Sequence, residues 1–215
     1  MNKFITIEGG DGAGKSTAIS SIKNFLESKG ETVVLTREPG GTDLGERLRD
    51  LLLHHKMDLL AETLLMFAAR AEHIKEVINP ALNKDIFVIC DRFTDSTLAY
   101  QGYAKGLEIA KIKALKNMIQ GDLNPSLTFV LDVTLRTSRE RLALTKKIPD
   151  KFESESDSFF ERVSDGFKTI ARNEPNRCKL INANNTKEET IEQIIFEMEQ
   201  FYNKFKMPKD KKLKM

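Results

Sequence analysis

Eight residues near the amino terminus, Gly9-Gly10-Asp11-Gly12-Ala13-Gly14-Lys15-Ser16, satisfy the pattern G-x-x-x-x-G-K-[ST]. With ordinary residue usage, a chance match in a chain of this length has a probability of roughly 1 % or less. Its setting adds weight, because the apolar run Phe4-Ile5-Thr6-Ile7 precedes it and a helical pattern follows. Glycines let backbone N–H groups turn inward around phosphate oxygens, and a helix N-terminus adds partial positive charge. The loop, Gly9 through Thr17, is therefore expected to cradle the phosphates of ATP. Lys15 would reach the β- and γ-phosphates, and the Ser16 hydroxyl would hold Mg²⁺.

Such a loop requires a strand on one side, a helix on the other and a parallel sheet to sit on. Four more short apolar runs supply strands: Thr32–Leu35, Ile86–Cys90, Leu127–Leu131 and Cys178–Ile181. They are nearly continuous rather than alternating, which predicts cover on both faces. Between them lie helical stripes, with Leu44, Leu48, Leu51 and Leu52 in one and Leu64, Phe67, Ala71, Ile74 and Ile78 in another. Thr186 and Glu189 read as a capping box opening a last helix, whose inner face is Ile191, Ile194, Ile195, Met198, Tyr202 and Phe205. The expected class is a three-layer α/β fold with right-handed crossovers. One domain over residues 1–206 suits the length of 215 residues. Polar residues 146–158 read as a flap, and lysine-rich residues 207–215 as a solvated tail.

Lysine and arginine number 34 against 32 acidic residues, a formal net charge of +2, so nucleic acid is not the expected partner. No apolar run is long enough to span a membrane, and no signal peptide is expected at Met1-Asn2-Lys3. Cys90 and Cys178 lie in apolar runs and read as buried free thiols of a cytoplasmic protein.

Phosphate loops serve GTPases, motors and small-molecule kinases alike. A GTPase needs an N-K-x-D base reader after a strand, whereas Asn83-Lys84-Asp85-Ile86 lacks the last Asp and precedes a strand. A kinase needs a pocket for the acceptor phosphate, cations that follow charge in the transition state, and a flap against water. Arg49, Arg70 and Arg92 are candidates for the first two, and Asp91, at a strand's carboxyl end, for a second-sphere magnesium ligand.

At this point the sequence resembles a known family. Glu8 through Thr17, Thr36-Arg37-Glu38-Pro39-Gly40-Gly41-Thr42, Leu65-Met66-Phe67-Ala68-Ala69-Arg70 and Asp91 through Gly102 are similar, in order, to motifs of the thymidylate kinases. The resemblance implies transfer of the γ-phosphoryl group of ATP to dTMP, a five-stranded parallel sheet of order 2-3-1-4-5, and a homodimer. It implies that Asp11 touches the deoxyribose 3′-hydroxyl and that Arg49 and Arg92 hold the dTMP phosphate. It further implies that Phe67 stacks on thymine while Arg70 bonds a base carbonyl. Thr97 and Gln101 would lie near the base, and Tyr100 would crowd C2′. A kinase for another nucleoside or monophosphate, or a nucleotide switch, are the alternatives.

Two departures accompany the likeness. Members of the family often carry the stacking Phe four residues before the Arg, where this chain has Met66. The flap offers Lys146, Lys147 and Lys151 where arginines are usual, so Lys151 is expected to take the catalytic charge there, without an arginine's bidentate geometry.

Overall fold

The computed structural model describes residues 1–144, 151–152 and 154–206. The five apolar runs form strands β1 (Phe4–Gly9), β2 (Val33–Arg37), β3 (Phe87–Asp91), β4 (Leu127–Asp132) and β5 (Cys178–Asn182). They make one parallel sheet of order β2-β3-β1-β4-β5, as the resemblance implied. Ile7 pairs with Asp91 and Gly9 with Leu131, so the end of β1 lies between the carboxyl ends of β3 and β4. That edge is where ligands gather in open α/β sheets.

The helices are α1 (Lys15–Ser28), α2 (Asp43–His54), α3 (Leu59–His73), α4 (Asn79–Asn83), α5 (Thr94–Thr97), α6 (Ile109–Gln120), α7 (Leu135–Ala143), α8 (Asp157–Asn173) and α9 (Lys187–Lys206). Two π-helical turns, Ile74–Ile78 and Leu98–Ala104, continue α3 and α5. Alternate strand residues face opposite layers. Ile5, Ile7, Phe87, Ile89, Phe129 and Leu131 pack with Ile22 and Leu26 of α1 and Ile194, Met198 and Phe201 of α9. Phe4, Val88 and Cys90 meet Ile74 and Ile78, and Val130 and Cys178 meet Phe159, Val163 and Phe167 of α8. Both cysteines are buried and free, as read from the sequence. The capping box at Thr186 and Glu189 forms, each residue accepting the other's backbone N–H.

Several expectations need correction. β2 and β5 are edge strands and are not covered on both faces: Leu35 is 46 % exposed and Leu180 48 %. The α2 stripe is mostly not core, because only Leu52 is fully buried while Leu44 and Leu51 face solvent, as does Leu64 of α3. The inner face of α9 includes Phe201, which the reading missed. The flap stops earlier than residue 158, since Ser156 caps α8 by accepting from Phe159 N–H. Lys146 and Lys147, and the tail 207–215, lie outside the described residues. At the end of the last helix, Lys206 is half exposed and bonds Glu31 Oε1 at 2.6 Å. No described helix is long and apolar enough to cross a membrane.

Candidate active site

The turn from β1 into α1 forms a cleft of about 460 Å³ lined by Asp11, Gly12, Gly14, Lys15, Ser16 and Thr17 on one side. Gly12 has φ +73°, and a Cβ there would stand 2.6 Å from the Ser138 carbonyl oxygen. Gly9, at φ +139°, would place one 2.7 Å from the Leu131 carbonyl. At both positions, left-handed backbone and close packing leave room only for glycine. Ser138 Oγ donates to Asp11 O at 2.6 Å and Arg141 to Gly12 O at 3.3 Å, so α7 braces the loop from behind.

Lys15 Nζ lies 3.1 Å from Gly10 O and 3.4 Å from Gly9 O, with Asp11 Oδ1 at 3.5 Å. Arg92 follows β3 in the left-handed region, with φ +68°. That turn aims its guanidinium back at the loop, where it donates to Gly9 O at 2.9 Å, Ser96 Oγ at 3.2 Å and Asp11 Oδ1 at 2.6 Å. Burial alone would raise the Asp11 carboxyl, but the charges of Arg92 and Lys15 outweigh it and hold it down at about 2. Burial, then the charge of Arg92, lowers Lys15. Glu8, fully buried beneath, accepts from Phe93 N–H at 2.7 Å and Ser96 Oγ at 2.5 Å, which fixes the Arg92 turn. Burial and the charge of Asp95 push the Glu8 carboxyl up.

The cleft continues between α2, α3 and the π-helical turn. Its wall carries Arg37, Glu38, Arg49, Met66, Arg70, Thr97, Tyr100 and Gln101. Arg49 donates to Pro39 O at 2.9 Å. Arg70 is 2 % exposed, donates through Nε to Glu38 Oε2 at 2.7 Å and through Nη2 to Thr97 Oγ1 at 3.1 Å. His73 Nδ1 lies 2.9 Å from the other Glu38 oxygen, and Thr36 Oγ1 lies 2.6 Å from Nε2. An N–H at Nδ1 bonding Glu38 leaves Nε2 to accept the threonine proton. Glu38 thus fixes Arg70 while leaving Arg70 Nη1 without a hydrogen-bond partner among the described residues. An unsatisfied buried donor in a cleft wall suits an acceptor oxygen on a ligand.

Phe67 is not a wall of this cleft. It is 2 % exposed and packs in the core with Leu98, Ala99 and Tyr100, its ring 4.8 Å from the Arg70 guanidinium. Met66, four residues before Arg70, shares the helix face that looks into the cleft, while Phe67 is turned about 100° away. Lys151 is likewise not over the phosphate loop: its Nζ bonds Glu62 Oε2 at 2.8 Å and His55 O at 3.1 Å. Asp11, Arg49, Arg70, Arg92, Thr97, Tyr100 and Gln101 are brought together around one cleft, with Lys15, Ser16, Thr17 and Asp91. Sequence reading missed Glu8, Glu38, Glu62, Ser138 and Arg141. Of these only Glu8 and Glu38 carried a signal, as acids within the quoted motifs.

Six cationic side chains, Lys15, Arg37, Arg49, Arg70, Arg92 and Arg141, line the cleft against the carboxylates of Asp11, Glu38 and Asp91. Such an excess suits two polyanionic ligands meeting end to end. A family model described as thymidylate kinase matches residues 7–194. The chain belongs to the thymidylate kinase family. It is 49 % identical over 199 residues to a thymidylate kinase of Methylobacillus flagellatus, covering 93 % of this chain and 98 % of that one. With a thymidylate kinase of Cupriavidus taiwanensis it shares 53 % over 183 residues, 84 % and 90 % of the two chains. Among solved structures, the thymidylate kinase of Ehrlichia chaffeensis superposes with a TM-score of 0.68 at 40 % identity, over 83 % of this chain and 91 % of that one.

Proposed function

We propose that the chain transfers the γ-phosphoryl group of ATP to the phosphate of dTMP, forming dTDP, in the cytoplasm as a homodimer. The observation that carries the reading is Arg70, whose Nη1 is buried, without a hydrogen-bond partner among the described residues, on the wall of the cleft that the phosphate loop opens. A guanidinium held by Glu38 and Thr97 donates to a base carbonyl such as thymine O4 and repels the amino group of cytosine. Met66 rather than Phe67 then supplies the apolar surface under the base, a soft and adaptable one. Tyr100, 8 % exposed with Arg92 5.2 Å from its ring, crowds the sugar. The reading is tested by initial rates with ATP and a panel of monophosphates.

In the mechanism, the loop N–H groups and Lys15 hold the donor phosphates, and Arg49 and Arg92 hold the acceptor phosphate in line with them. The nucleophile is a phosphate oxygen that is already ionised, so no strong base is required. Catalysis consists of positioning and of cancelling repulsion between two anions. Asp11, ionised at any physiological pH by the cations beside it, orients Arg92 and receives the sugar hydroxyl. Ser16 and Asp91 fit a magnesium site: both line the cleft, and Asp91 Oδ1 is buried without a hydrogen-bond partner among the described residues. Bound there with ATP, the ion would neutralise charge on the β- and γ-phosphate oxygens.

The homodimer reading draws on the leucines that the fold leaves exposed. Leu44 and Leu51 on α2, and Leu60 and Leu64 on α3, are each more than two-fifths exposed, and the two helices pack on each other. Apolar side chains gathered on adjoining helices suit a subunit interface better than water. Replacing Leu51 and Leu64 together with Glu is expected to yield a monomer in sedimentation analysis, without loss of helix content. A dimer of unchanged strength would move the interface elsewhere.

A further inference from the structure

Glu62 lies in the first turn of α3, two turns before Arg70, and is 2 % exposed. A carboxylate this deep is costly unless its lone pairs are filled. Three side chains fill them. Gln101 Nε2 from the π-helical turn donates at 2.8 Å, Lys105 Nζ at 2.8 and 3.0 Å, and Lys151 Nζ at 2.8 Å. Burial pulls the Glu62 carboxyl up, but these bonds outweigh it and keep it ionised. The two lysines also flank Phe152, with ammonium groups 4.7 and 5.0 Å from the ring centre, and Phe152 packs edge-on against Tyr100. Lys151 is tied down further, its N–H donating to Leu53 O at 3.3 Å and its Nζ to His55 O. Phe152, Tyr100 and Gln101 are all walls of the cleft.

One carboxylate therefore joins the acceptor wall to the segment that leads into α8. We infer that Glu62 is a positioning residue that seats Lys151 and Phe152 against the acceptor pocket, and that the Lys151 charge serves this seating rather than the transferred phosphoryl group. The reason is competition for one ammonium. A lysine that bonds a buried carboxylate at 2.8 Å and a carbonyl at 3.1 Å has two of its three donors engaged, and its charge held, away from the phosphate loop. Gln101, a wall of the cleft, also has its amide NH₂ fixed by Glu62. Loss of the anchor thus loosens the acceptor side first.

The inference rests on the dTMP kinase reading, and two readouts keep the two separable. In a double-mutant cycle of Glu62→Gln and Lys151→Met, each single change should raise KM for dTMP more than it lowers kcat. Each should cut kcat/KM by about tenfold, and the double mutant should be no worse than the poorer single one. Lys151→Arg, which keeps the bond to Glu62, should stay within about threefold of wild type. Independently of activity, tryptic cleavage after Lys151 should run severalfold faster in Glu62→Gln than in wild type at equal thermal stability. Should Glu62→Gln fail to fold, the split between KM and kcat in Lys151→Met decides alone. A loss confined to kcat, losses that multiply in the double mutant, or wild-type values in Lys151→Met would each overturn the inference. A wild-type chain inert towards dTMP counts against the kinase reading and leaves the proteolysis result to judge the anchor.

Discussion

Lys15→Ala is expected to lower kcat about 10²- to 10³-fold while leaving the melting temperature nearly unchanged. The side chain is 10 % exposed, and its contacts are two loop carbonyls and Asp11. Removing it leaves Asp11 still paired, because Arg92 holds it at 2.6 Å. The fold should therefore depend little on this ammonium. Its stabilisation is expected to be concentrated where charge grows between the β- and γ-phosphates, so turnover should carry the loss. Steady-state rates alongside a thermal melt separate the two. Retention of half the wild-type kcat would remove the loop lysine from the reaction.

Arg70→Ala is expected to damage both fold and selectivity. Arg70 and Glu38 are 2 % and 4 % exposed in side chain, and their bond is 2.7 Å long. Truncating one partner of a buried pair leaves an uncompensated charge, at a cost of about 3–5 kcal/mol. In a chain of this size, that cost lowers the melting temperature by roughly 10 °C. Below the melt, kcat/KM for dTMP should fall about a hundredfold, the worth of a hydrogen bond to a charged donor, and the ranking of acceptors should flatten. A melt shifted by only a degree or two, with dTMP still strongly preferred, would place base recognition on another residue.

These effects divide along the same line as what could be read from the residues. The phosphate loop is local: eight consecutive residues specify a strand end, a turn and a helix start, so Gly9 through Ser16 were legible. The sheet order and the cleft residues Arg49, Arg92, Thr97 and Gln101 came with the family motifs. Edge strands were misread because an apolar run looks alike at the centre and at the rim of a sheet. Met66 and Phe67 differ by one position and about 100° of helix, which decides cleft or core and is fixed only by what α3 packs against. The Glu62 anchor was illegible for a related reason. Its partners Gln101, Lys105 and Lys151 stand 39, 43 and 89 residues away, and no short-range pattern links them.

The measurement that bears most directly on the central claim is kcat/KM for dTMP, dUMP, dCMP, dAMP and dGMP with saturating ATP and magnesium. The expected result is highest efficiency with dTMP. The value for dUMP should be lower by about the worth of one buried methyl, roughly 0.8 kcal/mol or fourfold. For dCMP, an amino group aimed at the Arg70 guanidinium should cost about 1–3 kcal/mol and added repulsion. The purine monophosphates should be turned over least, because a second ring is expected to overpack a pocket fitted to one pyrimidine ring. Equal efficiency with dCMP or dAMP, or ATP hydrolysis that no acceptor stimulates, would contradict the account.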